Sequence, residues 1–231
     1  MQKYYCPEWT FEGIFYLSEE ESWHCISVMR NQAGATLGIL DGKGTLLLCE
    51  IVLAHPKKTG LKVLEKLKEE ATKPLLHIAI SPTKNNDRIE FFIEKACEIG
   101  LGVLTPILFD RTERAKINLD RWVKIAHAAC KQSGQLHFPT IEEPIRFDKF
   151  MNTLELPKTG FTVIGSANTL RDIGAIETIV IGPEGDYSPN EYERMNACKI
   201  KDFSLGNSIL RVETAGLVAV SQWNFLNQPS V

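Results

Sequence analysis

Residues Thr178 to Glu191 read TIVIGPEGDYSPNE, an apolar run that passes through a glycine-bearing turn into a marked helix start. Ile179, Val180 and Ile181 form the run, while Ser188, Pro189 and Glu191 supply the N-cap, the favoured first-turn proline and the capping carboxylate. A buried strand feeding a helix is the repeating unit of an open α/β sheet, and ligands of such sheets bind beyond the carboxyl ends of the strands. Gly182 and Gly185 frame Pro183 and Glu184 at that end, where a missing β-carbon lets backbone approach a ligand. An isolated GPEG is more often an ordinary turn. It matches neither GxGxxG nor a Walker A sequence, so a dinucleotide or nucleoside triphosphate is not indicated.

Working outward, strands and helices alternate from Leu75 onward. Strands are predicted at Leu75 to Ile80, Val103 to Leu108, Phe161 to Ile164 and Thr178 to Ile181, and helices at Asp87 to Ile99, Leu119 to Ser133, Pro189 to Ala197 and Glu213 to about Asn227. This alternation predicts a mostly parallel sheet with helices on both faces. Before it, Gly13 to Leu17, Thr36 to Leu40 and Leu46 to Leu53 read as strands of a small β-rich module, with a turn at Asp41-Gly42. Ser18 and Glu21 form a capping box for a helix running to about Met29. The lysine- and glutamate-rich stretch Lys57 to Lys73 ends at Pro74, which sets the expected division into residues 1–72 and 73–231.

A second stretch, SLGNSILRVETAGLVA from Ser204 to Ala219, closes a strand at Leu205-Gly206 and brings the apolar Ile209-Leu210 to Arg211 at the mouth of the last helix. The positive end of the helix dipole repels an arginine there, so Arg211 needs another partner. A salt bridge to Glu213 or Glu184 and a substrate role both stay open.

At 231 residues the chain can bury a core without staples. Its six cysteines are scattered, without CxxC pairs or metal-ligand spacing, and read as reduced buried hydrophobes; no metal is expected. No run of eighteen apolar residues and no leader-like N-terminus occurs, so the expectation is a soluble cytoplasmic protein without membrane contact. The net charge of -3 argues against bulk electrostatic attraction to nucleic acid, so any RNA binding would have to rely on a local basic patch or a second subunit. Lys84, Arg88, Lys95, Arg111 and Arg114 could form such a rim and hold phosphates, although Glu94 and Glu98 beside Lys95 suit a solvated face with local ion pairs. Trp122 with Ala126 and Ala129 with Ser133 fit core and dimer packing; His127 and His137 are too isolated to assign.

Taken together, IGPEG, LGNSILRVETA, DRIEFFIEKACEIGLGVLTPILFDR and RWVKIAHAACKQSG resemble the 16S rRNA uridine-N3 methyltransferase family of the knotted SPOUT superfamily. The likeness runs through nearly all of Leu75 to Leu226, and the N-terminal segment looks like that family's PUA-like RNA-binding barrel. It implies an α/β domain with a trefoil knot, a homodimer, and S-adenosyl-L-methionine held bent between crossing loops. By motif position, Ile181, Gly182, Pro183 and Gly185 form one wall, Leu205, Gly206, Ile209 and Leu210 another, and Ile164, Gly165 and Ser166 part of a third. The implied substrate is the uridine that the family name numbers 1498, in 16S rRNA, with the 30S subunit as its setting. Uracil N3 attacks only after losing its proton, which gives Arg211 a charge-stabilising role and makes Glu184 the candidate base or orienter, or merely a loop tie. Two positions depart from the family pattern: Asp186 where a second glycine is common after GPEG, and Gln135 where an arginine commonly follows QSG. A knotted methyltransferase acting on tRNA or on a ribose hydroxyl, and a catalytically silent RNA-binding or ribosome-assembly protein, are the competing readings.

Overall fold

The computed structural model describes residues 1–69, 75–113, 116–154 and 158–227. The chain forms two compact units, Met1–Lys73 with His127–Phe138, and Pro74–Ala126 with Pro139–Val231.

The first unit is built on a five-stranded sheet. Its strands are β1 (Lys3–Tyr5), β2 (Phe15–Tyr16), β3 (Thr36–Leu40), β4 (Thr45–Leu53) and β5 (Gly60–Glu69), in the order β1-β3-β4-β5-β2. β1 runs parallel to β3 and the remaining pairs are antiparallel. Tyr4, Phe15, Ile39, Leu47, Ile51 and Leu61 are among the residues of its core. Two of these strands differ from the sequence reading. The charged stretch after Lys57 contains the longest strand of the unit, because Leu61 and Val63 face the core while the alternating Lys62 and Leu64 face water. β1 is too short to show an alternation and is fixed by Tyr4, which is buried.

α1 (Glu19–Trp23) is capped by the Ser18 hydroxyl, which accepts from the Glu21 N–H at 3.2 Å, and continues as a π-helix over His24–Val28. The capping box is only half formed. The Glu21 carboxylate does not return to Ser18 but accepts from Lys131 Nζ at 2.5 Å. Tyr5 packs on His127 and Phe138 at centroid distances of 4.7 and 4.9 Å, which ties the 127–138 segment to this unit.

The second unit carries the parallel sheet. β6 (His77–Ile80), β7 (Val103–Leu108), β8 (Thr140–Ile141), β10 (Thr159–Thr162), β11 (Thr178–Ile181) and β12 (Lys201–Phe203) lie in the order β12-β10-β11-β6-β7-β8, and β9 (Ile145–Arg146) pairs with β7. Every pairing is parallel. Ile78, Ala79 and Ile80, like Ile179, Val180 and Ile181, are buried in succession, which requires cover on both faces of the sheet. The connecting helices are α2 (Asn86–Ile99), α3 (Leu119–Ser133), α4 (Phe147–Met151), α5 (Pro189–Ala197) and α6 (Val212–Asn227). α2 starts at the Asn85 cap and stops at Gly100 in the left-handed conformation.

β10 lies two residues earlier than the expected strand. Val163 N–H still bonds Phe203 O at 2.9 Å, but the backbone then leaves the ladder, and Ile164 is 63% exposed. Trp122, Ala126 and Ala129 are buried within the single chain, in keeping with the core packing expected of them. Five cysteines are buried and all six are free thiols; among the described residues no helix is long and apolar enough to cross a membrane.

Candidate functional site

Three segments at the carboxyl ends of neighbouring strands β12, β10 and β11 enclose a cavity of about 330 Å³. Thr162, Val163 and Ile164 leave β10; Ile181 to Glu184 with Asp186 and Tyr187 leave β11; Ser204 to Gly206 and Ser208 to Val212 join β12 to α6. The placement follows from the topology, since parallel strands put all their carboxyl ends on one side.

The turn after β11 is held rigidly from behind. A β-carbon on Gly182 would sit 2.8 Å from Cζ of Tyr187, so that ring alone demands a glycine here. The ring is buried, and its hydroxyl donates to Val180 O at 3.2 Å. Burial pushes the Tyr187 phenol far above its usual range, which keeps it a donor. Asp186 N–H bonds Pro183 O at 3.0 Å, and Arg111 Nη1 donates to Gly185 O at 3.0 Å. The capping box of α5 is complete: Glu191 accepts from Ser188 N–H at 2.7 Å and also from Asp110 N–H at 2.8 Å. Ser188 Oγ in turn donates to Asp110 Oδ2 at 2.7 Å, so the loop after β7 and the turn after β11 brace each other.

The segment after β12 is anchored at its start and open further on. Ser204 N–H bonds Asn168 O at 2.8 Å, and the Ser204 hydroxyl donates to Gly206 O at 2.7 Å. Gly206 has φ 148°, and a β-carbon there would meet nothing within 4 Å. Ile209 is 83% exposed, an apolar side chain at the cavity wall without cover. Arg211 precedes the first turn of α6, its carbonyl accepting from Ala215 N–H at 2.8 Å. Among the described residues its guanidinium makes no ion pair or hydrogen bond. Glu213 instead faces Arg88, at 3.9 Å, and among the described residues Glu184 makes no hydrogen bond, so neither salt bridge weighed for Arg211 forms and no loop tie by Glu184 is seen.

Arg211 and Glu184 both line the cavity, as do Ile164, Ile181, Gly182, Pro183, Leu205, Gly206, Ile209 and Leu210. Gly165, Ser166 and Gly185 stand outside the lining. The Ser166 hydroxyl accepts from Asn168 N–H at 3.1 Å and shapes a turn, while Gly185 is turned toward Arg111. Thr162, Val163, Asp186, Tyr187, Ser204 and Ser208 line the cavity without having been singled out for it. For Tyr187 the signal was available, since a buried aromatic five residues after a turn glycine is a packing partner for it.

The cations of the expected rim are engaged locally. Lys84 pairs with Glu113 at 2.8 Å, and Lys95 pairs with Glu94 at 2.7 Å and Glu98 at 2.8 Å. Arg114 lies outside the described residues. Among the described residues no group of three or more His, Cys, Asp or Glu side chains could hold a metal ion.

Fold and cavity together define a methyltransferase of RNA: residues 69–224 match the family described as an RNA methyltransferase domain, and the chain belongs to that family. Residues 17–64 match its companion, an RNA methyltransferase PUA domain. Among named relatives, the ribosomal RNA small subunit methyltransferase E of Bacillus subtilis is 28% identical over 96% of this chain and 95% of its own length. A Porphyromonas gingivalis protein described as a "probable rRNA-methyltransferase" superposes with a TM-score of 0.85 at 34% identity, over 98% of each chain. A Legionella pneumophila protein, solved in complex with the bound cofactor SAM, superposes with a TM-score of 0.86 at 25% identity over 97% of each chain.

Proposed function

We propose that this protein transfers a methyl group from S-adenosyl-L-methionine to N3 of a single uridine of 16S rRNA, the uridine indicated by the family resemblance. The observation that carries the reading is the meeting of three strand-end turns around one cavity whose wall includes the guanidinium of Arg211, unpaired among the described residues. The residues suit that cofactor. Ile181, Leu205, Ile209 and Leu210 offer apolar surface to an adenine ring, the open backbone at Gly206 offers polar groups without side-chain obstruction, and the cavity volume lies within the roughly 300–1,000 Å³ of small-molecule sites.

When bound, S-adenosyl-L-methionine supplies an already activated methyl group on a sulfonium, so neither a metal nor a covalent enzyme intermediate is required. The tasks left to the chain are to seat the nucleobase and to manage its charge. Deprotonated N3 spreads negative charge onto both flanking carbonyl oxygens, and the forked donors of Arg211 match that pattern. Glu184, at the same wall and without a hydrogen bond among the described residues, is the candidate to accept the N3 proton or to orient the base.

The RNA-holding surfaces in this reading are the PUA-like segment within residues 1–72 and the cations Lys84, Arg88, Lys95, Arg111 and Arg114 of the domain 73–231. Phosphate contacts by Lys84 and Lys95 would have to displace their carboxylate partners, which favours a pre-shaped surface such as the 30S subunit over naked RNA. A homodimer working in the cytoplasm completes the proposal.

The test is methyl transfer from labelled S-adenosyl-L-methionine to 30S subunits and to protein-free 16S rRNA from a strain lacking the modification, with the product mapped by mass spectrometry. The expected product is one N3-methyluridine, formed preferentially in 30S subunits. A methyl group on a ribose hydroxyl or on tRNA overturns the choice of substrate, and absence of cofactor binding in calorimetry favours a silent RNA-binding protein.

A further inference from the structure

Asp186 follows Gly185 in the turn after β11, and its backbone takes a glycine-like conformation, with φ 63°. A residue with a β-carbon enters that region at a cost, and asparagine and aspartate do so most readily because their side chains bond nearby backbone. Here Oδ1 accepts from Tyr187 N–H at 2.8 Å and from the Tyr192 hydroxyl at 3.2 Å. Burial, with Asp186 adding to it, pushes the Tyr192 phenol up to about 12, so this hydroxyl remains a donor. The carboxylate is therefore held in place at the cavity wall.

Its charge changes the balance of that wall. The charged residues lining the cavity are Glu184, Asp186 and Arg211, two anions against one cation. With glycine at 186 the wall would be balanced. In methyl transfer N3 first gives its proton to a base, for which Glu184 is the candidate; its lone pair then forms the new bond while the S–CH3 bond breaks with its electron pair left on sulfur, and the sulfonium becomes a neutral thioether. The amino and carboxylate groups of the methionyl part are unchanged, so donor and product differ at this wall by one positive charge and a methyl group.

We propose that Asp186 makes this cavity discriminate by charge, favouring the cationic methyl donor over the neutral thioether product and so easing product release. The proposal rests on the reading of the cavity as the S-adenosyl-L-methionine site. An opposite unit charge about 4 Å away in a water-like dielectric is worth about fivefold in affinity, and more where water is excluded.

The test is calorimetric titration of the wild type, D186G and D186N with S-adenosyl-L-methionine and, separately, with S-adenosylhomocysteine, after thermal melts have confirmed that each variant is folded. Glycine suits the backbone angle, and asparagine keeps the size and an acceptor oxygen. The ratio of product Kd to donor Kd is expected to fall about fivefold in both variants, and the wild-type ratio to shrink as salt is raised. A ratio unchanged in both variants that still bind the donor overturns the proposal and leaves the methyltransferase reading standing. A change confined to D186G also overturns it, since backbone freedom and not charge would be responsible. A wild type that binds neither compound overturns the underlying reading and the proposal with it.

Discussion

Gly182→Ala tests whether the turn after β11 is shaped by Tyr187. The added carbon would lie 2.8, 2.9 and 3.2 Å from Cζ, Cε1 and Cε2 of that ring, where carbon atoms pack comfortably at about 3.5–4.0 Å. The ring has no easy retreat. Its hydroxyl is bonded to Val180 O, and Phe109, Phe161 and Tyr192 surround it at centroid distances of 5.4, 5.9 and 5.3 Å. Forcing an extra carbon into such packing costs about 1–3 kcal/mol, and for a chain of this size each kcal/mol lowers Tm by roughly 2–4 °C. A fall of about 2–12 °C in a thermal melt is therefore expected, with weaker S-adenosyl-L-methionine binding because the displaced turn lines the cavity. Adding Tyr187→Leu should make room, so that the double variant is less destabilised than the two single losses summed. A G182A protein that melts within about 1 °C of wild type and binds the cofactor equally well would refute the argument.

Arg211→Ala should lower kcat by about 100-fold or more while changing cofactor affinity little, because among the described residues its guanidinium has no structural partner to lose; equal losses in both would identify a cofactor ligand instead. Arg111→Ala removes the donor to Gly185 O and should weaken cofactor binding several-fold in calorimetry. If RNA affinity falls while cofactor affinity stays, Arg111 is the phosphate contact that its sequence context suggested. For pH, burial is the main effect that holds His77 below its usual value, and Glu142 partly opposes it. A histidine kept neutral in the folded state contributes full stability above about pH 6.5, lost as pH falls from there through the folded value. His127 acts with the same sign, through burial and the nearby Lys131. Tm should thus fall below about pH 6.5, and less steeply in His77→Gln; identical slopes would sink this account.

The parallel sheet was legible because its elements are well punctuated. Val103–Leu108, Leu119–Ser133, Thr178–Ile181 and Pro189–Ala197 stand where apolar period, caps and turn residues put them. β5 was hidden because the exposed Lys62, Glu65 and Lys66 outnumber the two residues, Leu61 and Val63, that make it a strand. At the site, the two glycine-bearing stretches were recognisable, but the reason for each glycine was not. Gly182 lines the cavity but answers to a ring in its own chain, Gly185 faces Arg111, and Gly206 lines the cavity where an added β-carbon would meet nothing within 4 Å. Long-range pairing was equally out of reach: nothing in the order of residues says that Glu213 will turn to Arg88 rather than to its neighbour Arg211.

The position of β10 between β11 and β12 has a consequence for biosynthesis. Until residues 201–203 dock, one edge of β10 presents unpaired amide and carbonyl groups, the kind of edge on which chains aggregate. The same late segment brings the last wall of the cavity, so a nascent chain remains both sticky and unable to seat a ligand until the ribosome has delivered it. Premature termination upstream of Lys201 would then yield a species that needs disposal, not a weakened enzyme.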